Sequence, residues 1–131
     1  MSNAENILKT IRQRRTIKPK KFLKKEISAE VIQDILESAN WAPNHGRTEP
    51  WRLNVFTGSG IDKYIEIIEK VFAATPDHLK KQEKLVKWTG NAPYASHIIA
   101  FGMKRTDCSG LPIVEEVCAV ACAAQNMMLT A

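Results

Sequence analysis

Apolar residues recur every three to four positions in four stretches of the chain, which is the spacing of a helix with one buried face. These stretches begin after Asn3, after Ser28, at Ile61 and after Pro112. A further stretch, Pro76–Trp88, is highly charged and has only a weak apolar stripe at helical spacing. The pattern therefore predicts four helices and one weaker helical candidate.

Two shorter stretches have the hydrophobic pattern of strands. Apolar and polar side chains alternate in Trp51–Thr57, which predicts a strand with one buried face. His97–Met103 contains the continuous apolar run Ile98–Phe101, which predicts a strand that is buried on both faces. Since no linker or repeat separates these elements, we expect one mixed α+β domain over residues 1–131, with helices around a central sheet.

The last predicted helix is unusual because Val117–Ala124 is apolar on every side and consists of small residues. Such a helix must be enclosed by close packing partners. The nearly uncharged run from Val117 to the end has 15 residues, fewer than the ~20 that cross a bilayer, so we expect no membrane span. We also expect a cytoplasmic protein, since the charged N-terminal segment has no secretory pattern.

Composition narrows the class of protein. Hydrophobic residues make up 44% of the chain and charged residues 25%, which excludes disordered and fibrous classes. The three cysteines form no CxxC motif, so we expect reduced, mostly buried thiols. Cys118 and Cys122 share a helical face, but no nearby set of side chains completes four ligands, so we expect no metal site.

Charge is concentrated in two basic segments. The net charge is +5, and Arg12–Lys25 contains eight Arg or Lys residues and no acid. A second cluster lies in Lys80–Lys87. Two interpretations remain open: a site for a small anionic ligand, or a non-enzymatic protein that binds nucleic acid or another polyanion. Neither segment has the repeated alternation of basic and aromatic residues that would favour the second interpretation.

Two segments carry candidate binding chemistry. Arg14-Arg15-Thr16-Ile17-Lys18 combines guanidinium groups, a hydroxyl and an ammonium, which are the donors that bind phosphate. The alternative is a solvated basic turn. The second segment, Trp41–Trp51, is a loop with two prolines and several hydrogen-bonding side chains. It either holds a ligand or is a rigid connector whose tryptophans fill the core.

In their order along the chain, these segments resemble the nitroreductase family of flavin enzymes, most closely its small, single-domain NAD(P)H nitroreductases. The family has Arg-Arg-Ser or Arg-Arg-Thr after a short helix, then Ala-Pro-x-His or an equivalent, and Gln-Pro-Trp before a strand. The corresponding segments here are Arg14-Arg15-Thr16, Ala42-Pro43-Asn44-His45 and Glu49-Pro50-Trp51. Asn91-Ala92-Pro93 and Gln125–Leu129 also look like family features. The chain differs at Glu49, where glutamine is common.

The resemblance implies a nitroreductase-like fold with a mostly antiparallel sheet, and a homodimer with FMN at its interface. By resemblance, Arg14, Arg15 and Thr16 would hold the phosphate and ribityl chain, and Lys18 would approach the pyrimidine side of the flavin ring. The residues that would reach the FMN of the partner subunit are Trp41, Pro43, Asn44 and His45. Family members continue beyond the alanine-rich helix, so we expect that the C-terminal part of the family domain is absent here.

The function implied by the resemblance is that of an FMN-dependent oxidoreductase. Hydride from NADH or NADPH would pass through the flavin to a nitro compound, a quinone or a similar small acceptor. The flavin supplies the chemistry in such enzymes, so no catalytic acid–base pair is expected among the residues. The alternative function is the non-enzymatic binding of nucleic acid or another polyanion by the two basic segments.

Overall fold

The computed structural model describes residues 2–23, 25–105 and 110–131. Its helices are α1 (Asn3–Gln13), α2 (Ala29–Ser38), α3 (Gly60–Ala74), α4 (Gln82–Asn91) and α5 (Ile113–Thr130). Its strands are β1 (Trp51–Thr57) and β2 (His97–Met103). The predicted α+β class is therefore confirmed. Pro76–Trp88 is only partly helical, because a short 3₁₀ turn at Asp77–Leu79 precedes α4, which runs on to Asn91.

Two helices begin at hydroxyl caps. The Ser2 hydroxyl accepts a hydrogen bond from the Glu5 amide (3.3 Å), and the Glu5 carboxylate accepts one from the Ser2 amide (2.6 Å). The Ser28 hydroxyl accepts from the Val31 amide at the start of α2 (3.5 Å). These bonds satisfy amides that have no partner within a helix, so they fix where α1 and α2 begin.

β1 and β2 form a two-stranded sheet. The Lys104 amide donates to the Pro50 carbonyl (2.8 Å), and the Thr57 hydroxyl donates to the Ser96 carbonyl (3.2 Å). The start of β1 therefore lies beside the end of β2, so the strands are antiparallel. The predicted burial of β2 on both faces is wrong: its residues are mostly half-buried and Phe101 is 42% exposed. An apolar run alone does not reveal how many layers cover a strand.

The contacts within the chain form two compact units. The first unit is Met1–Thr16, Ile27–Asn54 and Ala100–Ala131, and in it α2 packs against α5. Ala39 and Ala123 are both fully buried in this unit, and the Asn126 side chain donates to the Ser38 carbonyl (3.2 Å). Small side chains allow the two helices to approach closely. The hydrogen bond from the Asn126 side chain fixes the position of one helix along the other.

α5 is enclosed by this chain on one face only. Ala119, Ala123 and Met127 are buried, whereas a second stripe is exposed: Val114, Val117, Cys118, Ala121 and Met128. The predicted enclosure is therefore only partial within this chain, and enclosure of the exposed stripe by a partner stays a prediction. The prediction that the thiols are mostly buried is wrong for the two described cysteines. Cys118 is exposed and Cys122 is half-buried. Cys108 lies outside the described residues.

Among the described residues, α5 is the one helix that is long and apolar enough, by length and composition only, to cross a membrane. Its 18 residues have a mean hydropathy of 1.2, and 22% of them are buried. Length and composition do not separate a membrane span from a core helix, because both are long and apolar. The packing of α5 against α2 matches a core helix on one face.

The second unit is Ile17–Glu26 and Val55–Ile99, in which α3 packs against α4. The rings of Phe56 and Tyr64 meet edge to face, with centroids 5.5 Å apart. Ala92 is buried where the chain turns from α4 towards β2. This unit therefore has a small core of its own.

We predict that Ala123→Leu destabilises the fold, because Ala123 is fully buried in the first unit. Extra methylene groups at a close-packed site cost about 1–3 kcal/mol through strain. Urea unfolding followed by circular dichroism measures this loss. The control is Ala73→Leu at an exposed position of α3, which should change stability by less than about 0.5 kcal/mol. Equal stability of the two variants would contradict this packing.

Candidate functional site

The basic segment Arg14–Lys18 follows the end of α1 without regular secondary structure, and Lys18 at its end has an extended backbone. The Arg14 guanidinium donates to the Thr16 hydroxyl (3.4 Å), so a planar cation and a hydroxyl lie side by side. The Arg14 side chain is half-buried, whereas Thr16 is exposed. This pair presents two kinds of donor at one place on the surface.

Arg15 is oriented differently from Arg14. Its Nη1 donates to the carbonyls of Arg12 (2.6 Å) and Arg14 (2.9 Å), so part of its guanidinium holds the local backbone. Lys18 is exposed. Within the ranges that the structure describes, Arg14, Arg15 and Lys18 form no ion pair. Permanently charged donors without a competing carboxylate fit a phosphate group, and the exposure of this segment also fits a solvated turn.

The two tryptophans of the second segment have different roles. Trp51 is 6% exposed, and its indole N–H donates to the Asn40 side chain (3.2 Å). Trp41 is 77% exposed. The interpretation of the segment as a connector whose tryptophans fill the core is right for Trp51 and wrong for Trp41. A large apolar ring is left in contact with solvent.

The loop between these tryptophans has strained backbone. Gly46, Arg47 and Glu49 have positive φ angles of 65°, 53° and 40°. Non-glycine residues adopt this region at a cost of about 1–3 kcal/mol, and such residues cluster at binding sites. Asn44 holds the loop, because its side-chain oxygen accepts from the Glu49 amide (3.2 Å) and its NH₂ group donates to the Ala42 carbonyl (3.3 Å).

His45 contacts a residue that the sequence did not connect to it. Its Nδ1 lies 2.6 Å from a Glu115 carboxylate oxygen, and the pair lines a groove of about 370 Å³. The groove lies between this loop and α5, and Pro43, Asn44, Cys118 and Cys122 also line it. Glu115 is not among the site residues that the sequence predicts. The two residues are 70 positions apart, so no local pattern could have paired them.

The structure thus groups the predicted residues into two sets. Arg14 lies with Thr16, and Pro43, Asn44 and His45 share one groove. No hydrogen bond or ion pair between described residues joins Arg14–Thr16 to Trp41–His45. Cys118 and Cys122 line the groove with His45 and Glu115, yet no three described His, Cys, Asp or Glu side chains converge as ligands.

We predict that breaking the His45–Glu115 contact has little effect on stability. Both side chains are exposed, at 65% and 41%, and exposed ion pairs contribute about 0.2–1 kcal/mol. His45→Ala and Glu115→Gln should each lower the free energy of unfolding by less than about 1 kcal/mol. Thermal unfolding of both variants measures this. A loss well above that value in either one would mean that the contact is a structural element and not part of an open surface.

Comparison with known proteins identifies the family and the fold. The sequence model of the nitroreductase family matches residues 11–131 of this chain. Nitrobenzene nitroreductase of Ectopseudomonas oleovorans is 30% identical over 91 residues, which cover 70% of this chain and 40% of that enzyme. The chain therefore spans less than half the length of this curated relative.

Solved structures with the same fold contain FMN and NADPH. The nitroreductase with bound FMN from Bacteroides fragilis has a TM-score of 0.70 at 25% identity, over 95% of this chain and 63% of that one. The FMN-dependent nitroreductase NfnB from Mycobacterium smegmatis, in complex with NADPH, has a TM-score of 0.70 at 19% identity, over 98% of this chain and 71% of that one. The predicted nitroreductase-like fold is confirmed.

Proposed function

Because this chain belongs to the nitroreductase family, we propose that it acts in an FMN-dependent oxidoreductase that uses NADH or NADPH. Its acceptors would be nitro compounds, quinones or similar small molecules. The names of its relatives support this class, since they include a nitrobenzene nitroreductase, an FMN-bound nitroreductase and one in complex with NADPH. Bound FMN would supply the chemistry by taking up hydride and passing on electrons.

The observation that carries this proposal is the Arg14–Thr16 pair. Its guanidinium and hydroxyl lie 3.4 Å apart, and no described acid neutralises the charge. Arg14 and Thr16 would bind the phosphate and the ribityl chain of FMN, and the free part of the Arg15 guanidinium would add a further donor. Lys18 would lie near the pyrimidine side of the ring, where its positive charge stabilises the negative charge gained on reduction.

A homodimer forms part of the proposal. Trp41, Pro43, Asn44 and His45 would reach the FMN that is held by the basic segment of the partner. The arrangement does not require the two sets to meet within one chain, and no hydrogen bond between described residues joins them. The exposed indole of Trp41 and the exposed apolar stripe of α5 favour a partner surface.

Flavin titration tests the proposed function. FMN fluorescence is measured while the full chain is added, and the complex is then mixed with NADH or NADPH without oxygen. We expect saturable binding of one FMN per chain and loss of oxidised-flavin absorbance with at least one of the two donors. A short single-stranded oligonucleotide labelled with a dye is the control probe. Binding of the oligonucleotide without binding of FMN would replace the proposal with the polyanion-binding function.

Lys18→Ala should slow the NAD(P)H-dependent loss of flavin absorbance more than it weakens FMN binding. The reason is that the ammonium is assigned to the ring and not to the phosphate. Stopped-flow reduction of the FMN-loaded variant, beside an equilibrium titration, separates the two effects. A large loss of FMN affinity with an unchanged reduction rate would instead place Lys18 at the phosphate.

A further inference from the structure

The proposed function makes no use of a groove between α3 and α4. Its volume is about 310 Å³, which is at the lower end of the roughly 300–1,000 Å³ of small-molecule sites. All of its lining residues belong to the second unit. Its apolar wall includes Val71, Phe72, Leu79, Leu85 and Trp88.

The apolar wall is open to solvent. Val71 is 60% exposed, Leu79 is 59% exposed and Trp88 is 48% exposed. Apolar side chains that line a concave surface and remain exposed favour a ligand or a partner, because removing them from water there is energetically favourable. The wall thus favours the binding of an apolar body.

Every charged side chain that lines the groove is a lysine: Lys80, Lys81 and Lys84. The Lys80 ammonium lies 2.8 Å from a carboxylate oxygen of Asp77 and 5.8 Å from the centre of the Phe72 ring, so an acid already balances its charge. Lys81 and Lys84 are exposed, and neither forms an ion pair with any other described residue. Two positive charges therefore lie at the rim without an acidic partner.

We propose that this groove binds a small amphipathic organic anion. Its apolar body packs against Phe72, Leu85 and Trp88, and its carboxylate or sulfonate lies beside Lys81 and Lys84. Charge complementarity selects this class of ligand, because a neutral apolar molecule leaves the ammonium groups without a partner and a cation is repelled by them. A nucleic acid pairs with the lysines but leaves the apolar wall exposed.

Decanoate is the probe that tests the proposal, and decyltrimethylammonium is its counterpart with the opposite charge. Each is titrated into the full chain by calorimetry below its micelle concentration, without added FMN, so the result does not depend on the proposed function. We expect saturable binding of one decanoate per chain and at least tenfold weaker binding of the cation. Trp88 emission should change during the decanoate titration, and Trp88→Phe should remove that change.

Paired variants locate the anion. Lys81→Gln with Lys84→Gln should weaken decanoate binding by roughly 3- to 30-fold, the range expected for two exposed ion pairs. Lys63→Gln with Lys70→Gln removes the same charge from α3 positions that do not line the groove, and should leave the affinity unchanged. Circular dichroism checks that both variants are folded.

Four results would overturn the proposal. They are the absence of saturable decanoate binding, equal affinity for the cation, an unchanged affinity in the Lys81 and Lys84 double variant, and a decanoate-dependent emission change that persists in Trp88→Phe. Trp88 emission that depends on protein concentration without any ligand would show instead that a second copy of the chain covers the groove.

Discussion

Replacing Arg14 with alanine should lower the affinity of this chain for FMN by about one to two decades. A charge-assisted hydrogen bond to a phosphate contributes about 1.5–3 kcal/mol, and the Arg14 guanidinium lies beside the Thr16 hydroxyl with no described acid to pair with it. Arg15→Ala should also weaken binding, because it removes both a cation and the bonds that hold the carbonyls of Arg12 and Arg14. Equilibrium flavin titration measures both changes.

The matched control is Lys9→Ala, which removes one positive charge from an exposed position of α1. It separates a specific phosphate contact from the general attraction between a basic chain and an anion, and it should change FMN affinity by less than about threefold. Repeating the titration at higher salt sharpens the comparison, because screening weakens long-range attraction more than a direct contact. Unchanged affinity in both arginine variants would remove the basic segment from the phosphate site.

Periodicity predicts the elements well because it is a local property. The alternation in Trp51–Thr57 gives β1 with the same bounds, and the spacing after Ser28 gives a helix that this serine caps. Burial is harder to predict, because it depends on what the rest of the fold supplies. Phe101 lies in an apolar run and is still 42% exposed. The sequence predicts both strands of the described sheet but not how much of each strand the rest of the chain covers.

The candidate site also combines contacts that the sequence could predict with contacts that it could not. Arg14 and Thr16 are two positions apart, so their contact could be expected from a short extended segment. Asn44 holds the loop because asparagine side chains tend to form hydrogen bonds with nearby backbone groups. The sequence alone does not show that its partner is the Glu49 amide. Glu115 meets His45 only because α5 packs beside the loop. Contacts of that kind depend on the tertiary fold, so the local sequence pattern cannot predict them.

Ala121→Arg should convert the proposed homodimer to monomers. Ala121 lies at the centre of an exposed stripe that this chain leaves uncovered on α5, together with Val114, Val117, Cys118 and Met128. A partner helix that packs on this stripe would bury the arginine without a counter-charge. Since an unpaired polar or charged group costs at least about 2 kcal/mol to bury, the dissociation constant should rise by about 30-fold or more. Sedimentation velocity over a range of micromolar concentrations measures the change.

The FMN affinity of the Ala121→Arg variant tests whether the flavin site depends on the dimer. If Trp41 and His45 act on the flavin of the partner, Ala121→Arg should weaken FMN binding together with dimerisation. Trp41→Ala combined with His45→Ala should weaken FMN binding while the dimer persists. Ala73→Arg, which places the same charge at an exposed position of α3, is the control and should change neither property. A monomer of the unaltered chain that binds FMN normally would contradict the shared site, as would full FMN affinity in the Trp41 and His45 double variant.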